Sequence, residues 1–243
     1  MEKKKLPGSV IGFGFVSFFT DMSSEMVYPL LPIFLSSVLG VGAEALGLIE
    51  GIAEATASVL KTFSGYISDR IRKRKPLVLL GYSLSAIAKP TIGLAGRWIH
   101  VLAARFADRV GKGIRTSPRD SLIADVVDDT IRGRAFGFHR AMDTGGAVFG
   151  PLLAYILLAI FLKYYSVSVS VRSVFLLSLI PGIFAIVTLI FFVKEKPKEQ
   201  RELRKLKLGF KGLSKEFKLL LTSNEWRIRE ESAKNLKNQS FKE

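Results

Sequence analysis

Charged side chains interrupt the apolar stretches of this sequence. These side chains could bind protons, ions or charged solutes. Asp21 and Glu25 stand four residues apart, on one face of any helix that contains both. His139 and Asp143 repeat that spacing, with Arg140 beside them. A carboxylate inside an apolar bundle can take up a proton or a cation. We therefore interpret Asp21 and Glu25 as the groups that bind a coupling proton or cation, and Asp143 as a further proton carrier. Arg140 and Asp143 are interpreted as an ion pair.

The densest set of charges lies between residues 105 and 120. It comprises Arg105, Asp108, Arg109, Lys112, Arg115, Arg119 and Asp120. At about 100° per residue, these side chains fall within an arc of about 140°, so one face of the predicted helix is charged and the other is not. Because a charge facing hydrocarbon costs several kcal/mol, we expect this face to line a bundle interior or a water-filled cavity. The alternatives are an amphipathic helix on the membrane surface, and ion pairs that only stabilise the bundle.

Three further charges lie in neighbouring apolar segments. Glu50 and Lys61 fall near the ends of their segment, where long side chains reach water easily, and we interpret both as structural. Lys89 lies deeper, and it is either the partner of an acid or a charge in a cavity. The sequence does not decide between these two roles.

The apolar residues that must position these charges come in blocks of about 20, the length that crosses a bilayer. The chain has 243 residues, of which 49% are apolar, with 36 Lys and Arg against 21 Asp and Glu. We predict an all-α membrane protein with six transmembrane helices, at residues 10–39, 45–67, 76–96, 98–124, 133–162 and 174–193.

Basic residues cluster at alternate ends of the predicted spans. They lie in the N-terminus (Lys3, Lys4, Lys5), in the loop 70–75, at Arg132 and Arg134, and in the segment 194–243. By the positive-inside rule both termini are then cytoplasmic, and the protein lies in the cell membrane. The predicted organisation is a cytoplasmic N-terminus at 1–9, a bundle at 10–193 and a basic cytoplasmic tail at 194–243.

Several functional classes are excluded or disfavoured by composition. The sequence has no cysteine, which excludes disulfides, thiolate metal sites and cysteine nucleophiles, and its two histidines argue against a metal site. There is no P-loop and no G-x-S-x-G nucleophile elbow, so nucleotide-driven pumping and intramembrane proteolysis are disfavoured. The tail has one Trp and no RNA-binding signature, which argues against nucleic acid as a partner. We expect a protein without enzymatic activity or cofactor, driven by a proton or other ion gradient.

The junction of spans two and three carries a recognisable motif. Residues 65–74 read GYISDRIRKR, which resembles the signature loop G-x-L-x-D-R-x-G-R-R of the major facilitator superfamily. Gly65, Asp69, Arg70, Lys73 and Arg74 match in kind, whereas Arg72 replaces the second glycine. The resemblance implies a conformational role for this loop, and close helix packing at Gly65.

The fourth and fifth spans are also similar to those of the superfamily. Residues 105–125 resemble its fourth helix, although Arg109 stands where a glycine is usual, and residues 132–137 (RGRAFG) resemble the beginning of its fifth. Gly146, Gly150 and Pro151 form a G-x-x-x-G-P pattern similar to the motif associated with exporters. In such a motif, the two glycines allow helices to approach closely, and the proline bends its helix. Residues 21–26 and 115–120 resemble a poorly characterised branch of prokaryotic permeases.

The resemblance implies a secondary transporter whose partners are the lipid bilayer and a small-molecule solute. Superfamily members usually have twelve spans in two halves, and this sequence corresponds to the first half. We therefore expect a truncated or split product, with a second half or a second copy as partner. The alternative is a non-transporting membrane scaffold. Five Lys and Arg against two Asp in span four favour anionic or amphipathic solutes, whereas the glycine-proline motif favours efflux of hydrophobic drugs.

Overall fold

The computed structural model describes residues 5–70 and 74–195, without the side chains of Asp69 and Arg70. Lys73 of the signature loop and the tail from residue 196 onward lie outside these residues. Within the described ranges every regular element is helical. The predicted all-α fold class is therefore confirmed, while the number of spans and their orientation stay predictions.

The first predicted span is not one continuous helix. Helix α1, Gly8–Glu25, is followed by a 3-10 turn at Tyr28–Leu30, a single helical turn at Leu31–Ile33 and a π-helical turn at Phe34–Val38. Pro29 and Pro32 lie in this irregular segment, where each lacks the N–H that a regular helix would use. The interruption directly follows Glu25, so it sets the direction in which the next side chains point.

Four long helices follow, close to the bounds that the apolar pattern predicts. Helix α2 is Ala43–Arg70 and helix α3 is Lys75–Thr91, which continues as a 3-10 turn at Ile92–Leu94. Helix α4, Trp98–Asp125, carries the charged face, and helix α5 is Asp129–Phe161. Helix α5 continues through Pro151 without interruption.

The sixth predicted span begins earlier than expected and is divided in two. Helix α6, Val167–Leu177, starts seven residues before the predicted start at 174, and helix α7, Leu179–Phe192, follows after Ser178. The side chain of Ser166 accepts a hydrogen bond from the amide of Val169, which provides an N-cap ahead of the apolar run. The alternating serines and valines of residues 166–171 conceal this start in the hydropathy pattern.

Among residues 5–70 and 74–195, three helical segments have the length and apolar composition needed to cross a membrane. They are Lys75–Leu94, Asp129–Phe161 and Val167–Phe192. Helices α2 and α4 carry more charged residues, and α4 packs between α2 and α3. This packing, together with the burial of its charged residues, is incompatible with the alternative that α4 lies on a membrane surface.

The core consists of two apolar clusters at opposite ends of the bundle. One includes Met26, Phe34, Val101 and Phe175, and the other includes Phe13, Val78, Ile123 and Leu189. The residues predicted to line a pathway lie along their helices between these clusters. A polar layer is therefore enclosed above and below by apolar packing.

Candidate functional site

A polar cavity of about 130 Å³ lies between α1 and α4. Its wall comprises Asp21, Ser24, Glu25, Tyr28, Asp108, Arg109, Lys112 and Arg115. Six of these eight residues are among the pathway residues predicted from sequence. The predicted Arg105 lies directly behind this wall, whereas Arg140 and Asp143 lie on α5.

Tyr28 organises the arginines at one end of the cavity. Its hydroxyl donates a 2.5 Å hydrogen bond to Asp108, and its ring lies 3.9 Å from the guanidinium carbon of Arg105 and 5.3 Å from that of Arg109. A guanidinium over an aromatic face is attracted by the ring's quadrupole. Tyr28 thus holds two cations and one anion of α4 in place from a single position after α1.

Arg105 is completely enclosed, with 1% of its surface exposed. It donates two hydrogen bonds to the carboxylate of Glu50, one of them from Nε at 2.9 Å, and its Nη1 lies 3.7 Å from Asp108. The bidentate geometry is the strong form of the arginine–carboxylate pair. The interpretation of Glu50 as a structural residue near the end of its span therefore changes, because Glu50 fixes a pathway candidate.

Two buried guanidinium atoms at this site have no hydrogen-bond partner in the described part of the chain. They are Nη1 of Arg105 and Nε of Arg109. The nearest carboxylate oxygen to Arg109 Nε belongs to Glu54, at 3.7 Å, and Glu54 is largely exposed. Because unpaired buried donors are costly, Arg109 Nε in the cavity wall is available to a ligand that brings acceptor oxygens, whereas Arg105 Nη1 lies behind that wall.

The cavity wall carries equal numbers of acids and bases. Arg109, Lys112 and Arg115 come from α4, as does Asp108, and Asp21 and Glu25 face them from α1. The excess of positive charge in span four is therefore offset by the carboxyls of α1. Lys112 is exposed and Glu25 is half-buried, so both stand where the cavity opens.

Lys89 and Arg115 connect the cavity to α3. The ammonium of Lys89 donates to the carbonyl of Thr20 and to the hydroxyl of Ser24, each at 3.2 Å. Arg115 donates to the Ser85 hydroxyl, and its guanidinium carbon lies 4.4 Å from the ring of Tyr82. These partners are a carbonyl and a hydroxyl of α1 rather than an acid, and Lys89 does not line the cavity, so its ammonium fixes the α1 backbone beside the cavity.

A second polar cluster adjoins the cavity on the side of α5. Asp143 accepts a hydrogen bond from the hydroxyl of Ser17, and its carboxyl interacts directly with that of Asp21. The Nη1 atom of Arg140 lies 3.5 Å from Asp143, which is the ion pair predicted from their spacing. Arg140 itself is 83% exposed, so its charge is largely solvated.

The signature loop is only partly described, and its glycine does not act as expected. Arg74 is buried, and it donates to Asp125 at 2.6 Å and to the carbonyl of Ser68 at 3.3 Å. A Cβ added to Gly65 would meet Ser117 only at 3.5 Å, an ordinary contact. Close packing at Gly65 is therefore a wrong prediction, because the helices there are already far enough apart for a side chain.

Close helix approach occurs instead at other glycines. A Cβ on Gly81 would lie 2.6 Å from the carbonyl oxygen of Gly111, where α3 crosses α4. A Cβ on Gly150 would lie 2.7 Å from both Glu25 Cβ and the Met22 carbonyl, and Gly146 is pressed against the backbone of Phe18. The G-x-x-x-G pattern of α5 thus coincides with the crossing of α1 and α5.

Sequence reasoning missed Tyr28 and Ser17 as parts of the site, assigned Glu50 a structural role and left the role of Lys89 open. Tyr28 lies seven residues after Asp21 and three after Glu25, a spacing that places all three on one helical face. That spacing was the available signal. No local pattern identifies Ser17 or Glu50, whose partners are 126 and 55 residues away.

Comparison with known proteins identifies the family. The sequence profile of the Major Facilitator Superfamily matches residues 13–228. An uncharacterized MFS-type transporter of Methanocaldococcus jannaschii is 38% identical over 218 residues, which cover 90% of this chain and 52% of that protein. The multidrug resistance protein MdtH of Enterobacter sp. is 31% identical over 129 residues, covering 53% of this chain and 32% of that protein.

Solved structures show the same fold. A bacterial homolog of the human lysosomal transporter Spinster, in an inward-facing and occupied conformation, superposes with a TM-score of 0.67 at 19% identity, covering 80% of this chain and 46% of that one. The human organic anion transporter MFSD10 superposes with a TM-score of 0.61 at 17% identity, covering 90% of this chain and 55% of that one. The chain spans about half the length of the relatives that it matches.

The family match and the apolar helices together indicate a membrane protein. The described bundle corresponds to about one half of the domain found in these relatives. The chain belongs to the major facilitator superfamily of membrane transporters.

Proposed function

We propose that this bundle forms one wall of an ion-coupled transport pathway in the cell membrane, with both termini cytoplasmic and with solute bound at the cavity between α1 and α4. One observation carries the proposal. The buried Nε atom of Arg109 lacks a hydrogen-bond partner among the described residues, at a cavity that also contains carboxyls and lies between two apolar clusters. An ion pair that only stabilised the bundle would satisfy this donor, and the 3.7 Å contact with the exposed Glu54 does not.

The coupling ion in this proposal binds at the carboxyls of α1. The carboxyl groups of Asp21 and Asp143 act on each other electrostatically, and two neighbouring carboxyl groups are stable when one proton or cation is shared between their oxygens. Glu25 stands at the opening of the same cavity, within reach of a bound solute. An ion gradient then supplies the energy, and no cofactor is required.

The proposed solutes are anionic or amphipathic organic molecules. Arg109 and Lys112 offer donors at the cavity, while the acids of α1 limit the net positive charge and disfavour small, highly charged anions. Efflux is the proposed direction, supported by the glycine-proline motif of α5 and by the likeness to a multidrug resistance protein.

Alternating access requires two bundles around a shared site. The second wall in this proposal is another six-helix half or a second copy, in parallel orientation. Helices α2 and α5 present unoccupied glycines, among them Gly51 and Gly137, beside which no atom lies within 4 Å of an added Cβ. Such surfaces permit close approach of further helices.

The absence of cysteine provides a direct test in the full chain. In the Ser24→Cys variant, reconstituted in liposomes, we expect modification by the anionic reagent sulfonatoethyl methanethiosulfonate, because Ser24 lines the cavity. Adding Arg109→Gln should slow this reaction relative to the cationic trimethylammonium reagent at least about threefold, since one attracting charge is lost. Arg97→Gln, on an exposed residue outside the cavity, is the matched control.

Carboxyfluorescein and ethidium then serve as anionic and cationic solute probes. We expect carboxyfluorescein to protect Ser24→Cys from modification and ethidium to protect it less. A cysteine at residue 24 that reacts with neither reagent would contradict a water-accessible pathway and favour the scaffold alternative. Protection by ethidium alone would contradict the proposed solute class.

A further inference from the structure

His139 is a buried titratable side chain that the proposed pathway leaves without a role. It lies in α5 with 4% of its surface exposed. Its Nε2 atom is buried and makes no hydrogen bond to any residue that the structure describes. An unpaired buried polar atom costs about 1–3 kcal/mol, so retaining the imidazole here requires a reason other than stability.

The neighbours of His139 form a line of proton-binding groups. Asp143 lies one helical turn deeper on α5 and interacts with Asp21 of α1. On the other side, α4 contributes Arg119 and Asp120, which form an ion pair at 2.9 Å. The charged groups acting on the His139 ring are Arg119 and Asp120 from α4, and Asp143 and Arg140 from α5. The helices α1 and α3 contribute the hydroxyls of Ser17 and Tyr82 to the same region.

One end of the line is the polar cavity, and the other, wet end is exposed beside Asp120. Asp21 lies in the wall of the polar cavity, whereas the side chain of Asp120 is 41% exposed near the end of the bundle where α4 stops and α5 begins. His139 lies between them, next to Asp143. With the proposed topology, the wet end faces the cytoplasm.

We infer that His139 relays protons between the Asp21–Asp143 carboxyl pair and water at the end of the bundle near Asp120. The inference rests on the proposed proton coupling. In the outward step, the Asp143 carboxyl releases its proton to the imidazole, which becomes imidazolium while Asp143 becomes carboxylate. The imidazolium then gives that proton to the Asp120 carboxylate or to water, and the neutral imidazole is restored. Proton uptake follows the same steps in reverse.

The experiment follows carboxyl protonation in the full chain by time-resolved infrared spectroscopy. The protein is reconstituted into liposomes, and the pH is lowered rapidly on the side where α4 ends. The carboxyl band of the pair is identified by its loss in Asp143→Asn. We expect His139→Gln to retain the amplitude of this band but to form it at least about tenfold more slowly, as for loss of a general acid-base group. His100→Gln, which replaces the other histidine, is the matched control and should not change the rate.

The outcomes separate the relay from the coupling proposal. A band that is absent from the wild type overturns the proton coupling and with it the relay. A band that forms in His139→Gln at the wild-type rate overturns the relay alone. Adding imidazole to His139→Ala should restore the rate, and failure to do so would count against proton transfer through this position.

A measurement on the wild type keeps the relay testable if the variants do not fold. With isotope-labelled histidine, an imidazolium band must rise and decay with the time constant of the carboxyl band, and it must persist in His100→Gln. Carboxyl protonation without any imidazolium signal overturns the relay.

Discussion

The guanidinium of Arg105 stacks on the ring of Tyr28, with 3.9 Å between its central carbon and the ring centroid. Arg105 belongs to α4, whereas Tyr28 follows the break in α1. The contact therefore depends on the irregular segment that begins after Glu25.

Removing the Tyr28 hydroxyl tests its hydrogen bond to Asp108. Tyr28→Phe keeps the ring over Arg105 but leaves a buried carboxylate oxygen unpaired, so we expect a loss of about 1–3 kcal/mol in the free energy of unfolding. Denaturant titration in detergent micelles measures it. Tyr164→Phe, at a side chain that is mostly exposed, should change this free energy very little. An unchanged stability in Tyr28→Phe would show that water satisfies Asp108 instead.

Substitutions of Glu50 and Glu54 on α2 compare the contributions of a strong and a weak ion pair to stability. Glu50→Gln weakens a bidentate pair with the fully buried Arg105, and we expect it to lower the free energy of unfolding by about 1–2 kcal/mol. Glu54→Gln affects a 3.7 Å contact at an exposed side chain and should cost less than about 1 kcal/mol. The same denaturant titration compares them, and equal losses would contradict the dominant role assigned to Glu50.

The crossing of α1 and α5 is tested at Gly150. In Gly150→Ala the new Cβ meets the Met22 carbonyl at 2.7 Å, so the helices must separate, at a cost of about 1–3 kcal/mol. Gly137→Ala lies on the same helix with no atom within 4 Å of the added carbon, and it should be neutral or stabilising through helix propensity. If both variants unfold at the same denaturant concentration, the close approach is not important for stability.

Membrane topology is tested with single cysteines in this cysteine-free chain. We expect Gly96→Cys and Tyr164→Cys to react with an impermeant maleimide applied to intact cells. Gly133→Cys and Glu199→Cys should react only after permeabilisation, because the positive-inside rule places them in the cytoplasm. Labelling of Glu199→Cys from outside would contradict the predicted six-span orientation.

A single copy of this bundle is not expected to transport. One bundle supplies only one wall, so vesicles that contain a single copy of the 243-residue chain should move neither carboxyfluorescein nor ethidium down a pH gradient. Flux measured at increasing copy number shows whether two copies suffice. A single-copy vesicle that transports either probe would contradict the two-wall mechanism.

The local sequence pattern is sufficient to predict the long helices and the charged face of α4. Apolar blocks of bilayer length and a 3.6-residue charge period are properties of neighbouring residues, so the positions of the long helices follow from the sequence alone. The limits of local pattern appear at Ser166, whose cap begins α6 seven residues early, and at Ser178, where the last segment divides. Both depend on single hydrogen-bonding side chains that an average over a window conceals.

The sequence by itself determined which side chains are charged, on which helical face they lie and to which family the chain belongs. Only the tertiary structure decided their partners. Glu50 meets Arg105, Ser17 meets Asp143, and Lys89 binds the backbone of α1, across separations of 55 to 126 residues. Such pairs depend on how the helices rotate and cross, which follows from packing at glycines such as Gly150 and from the break after Glu25, and no periodicity within one helix encodes it.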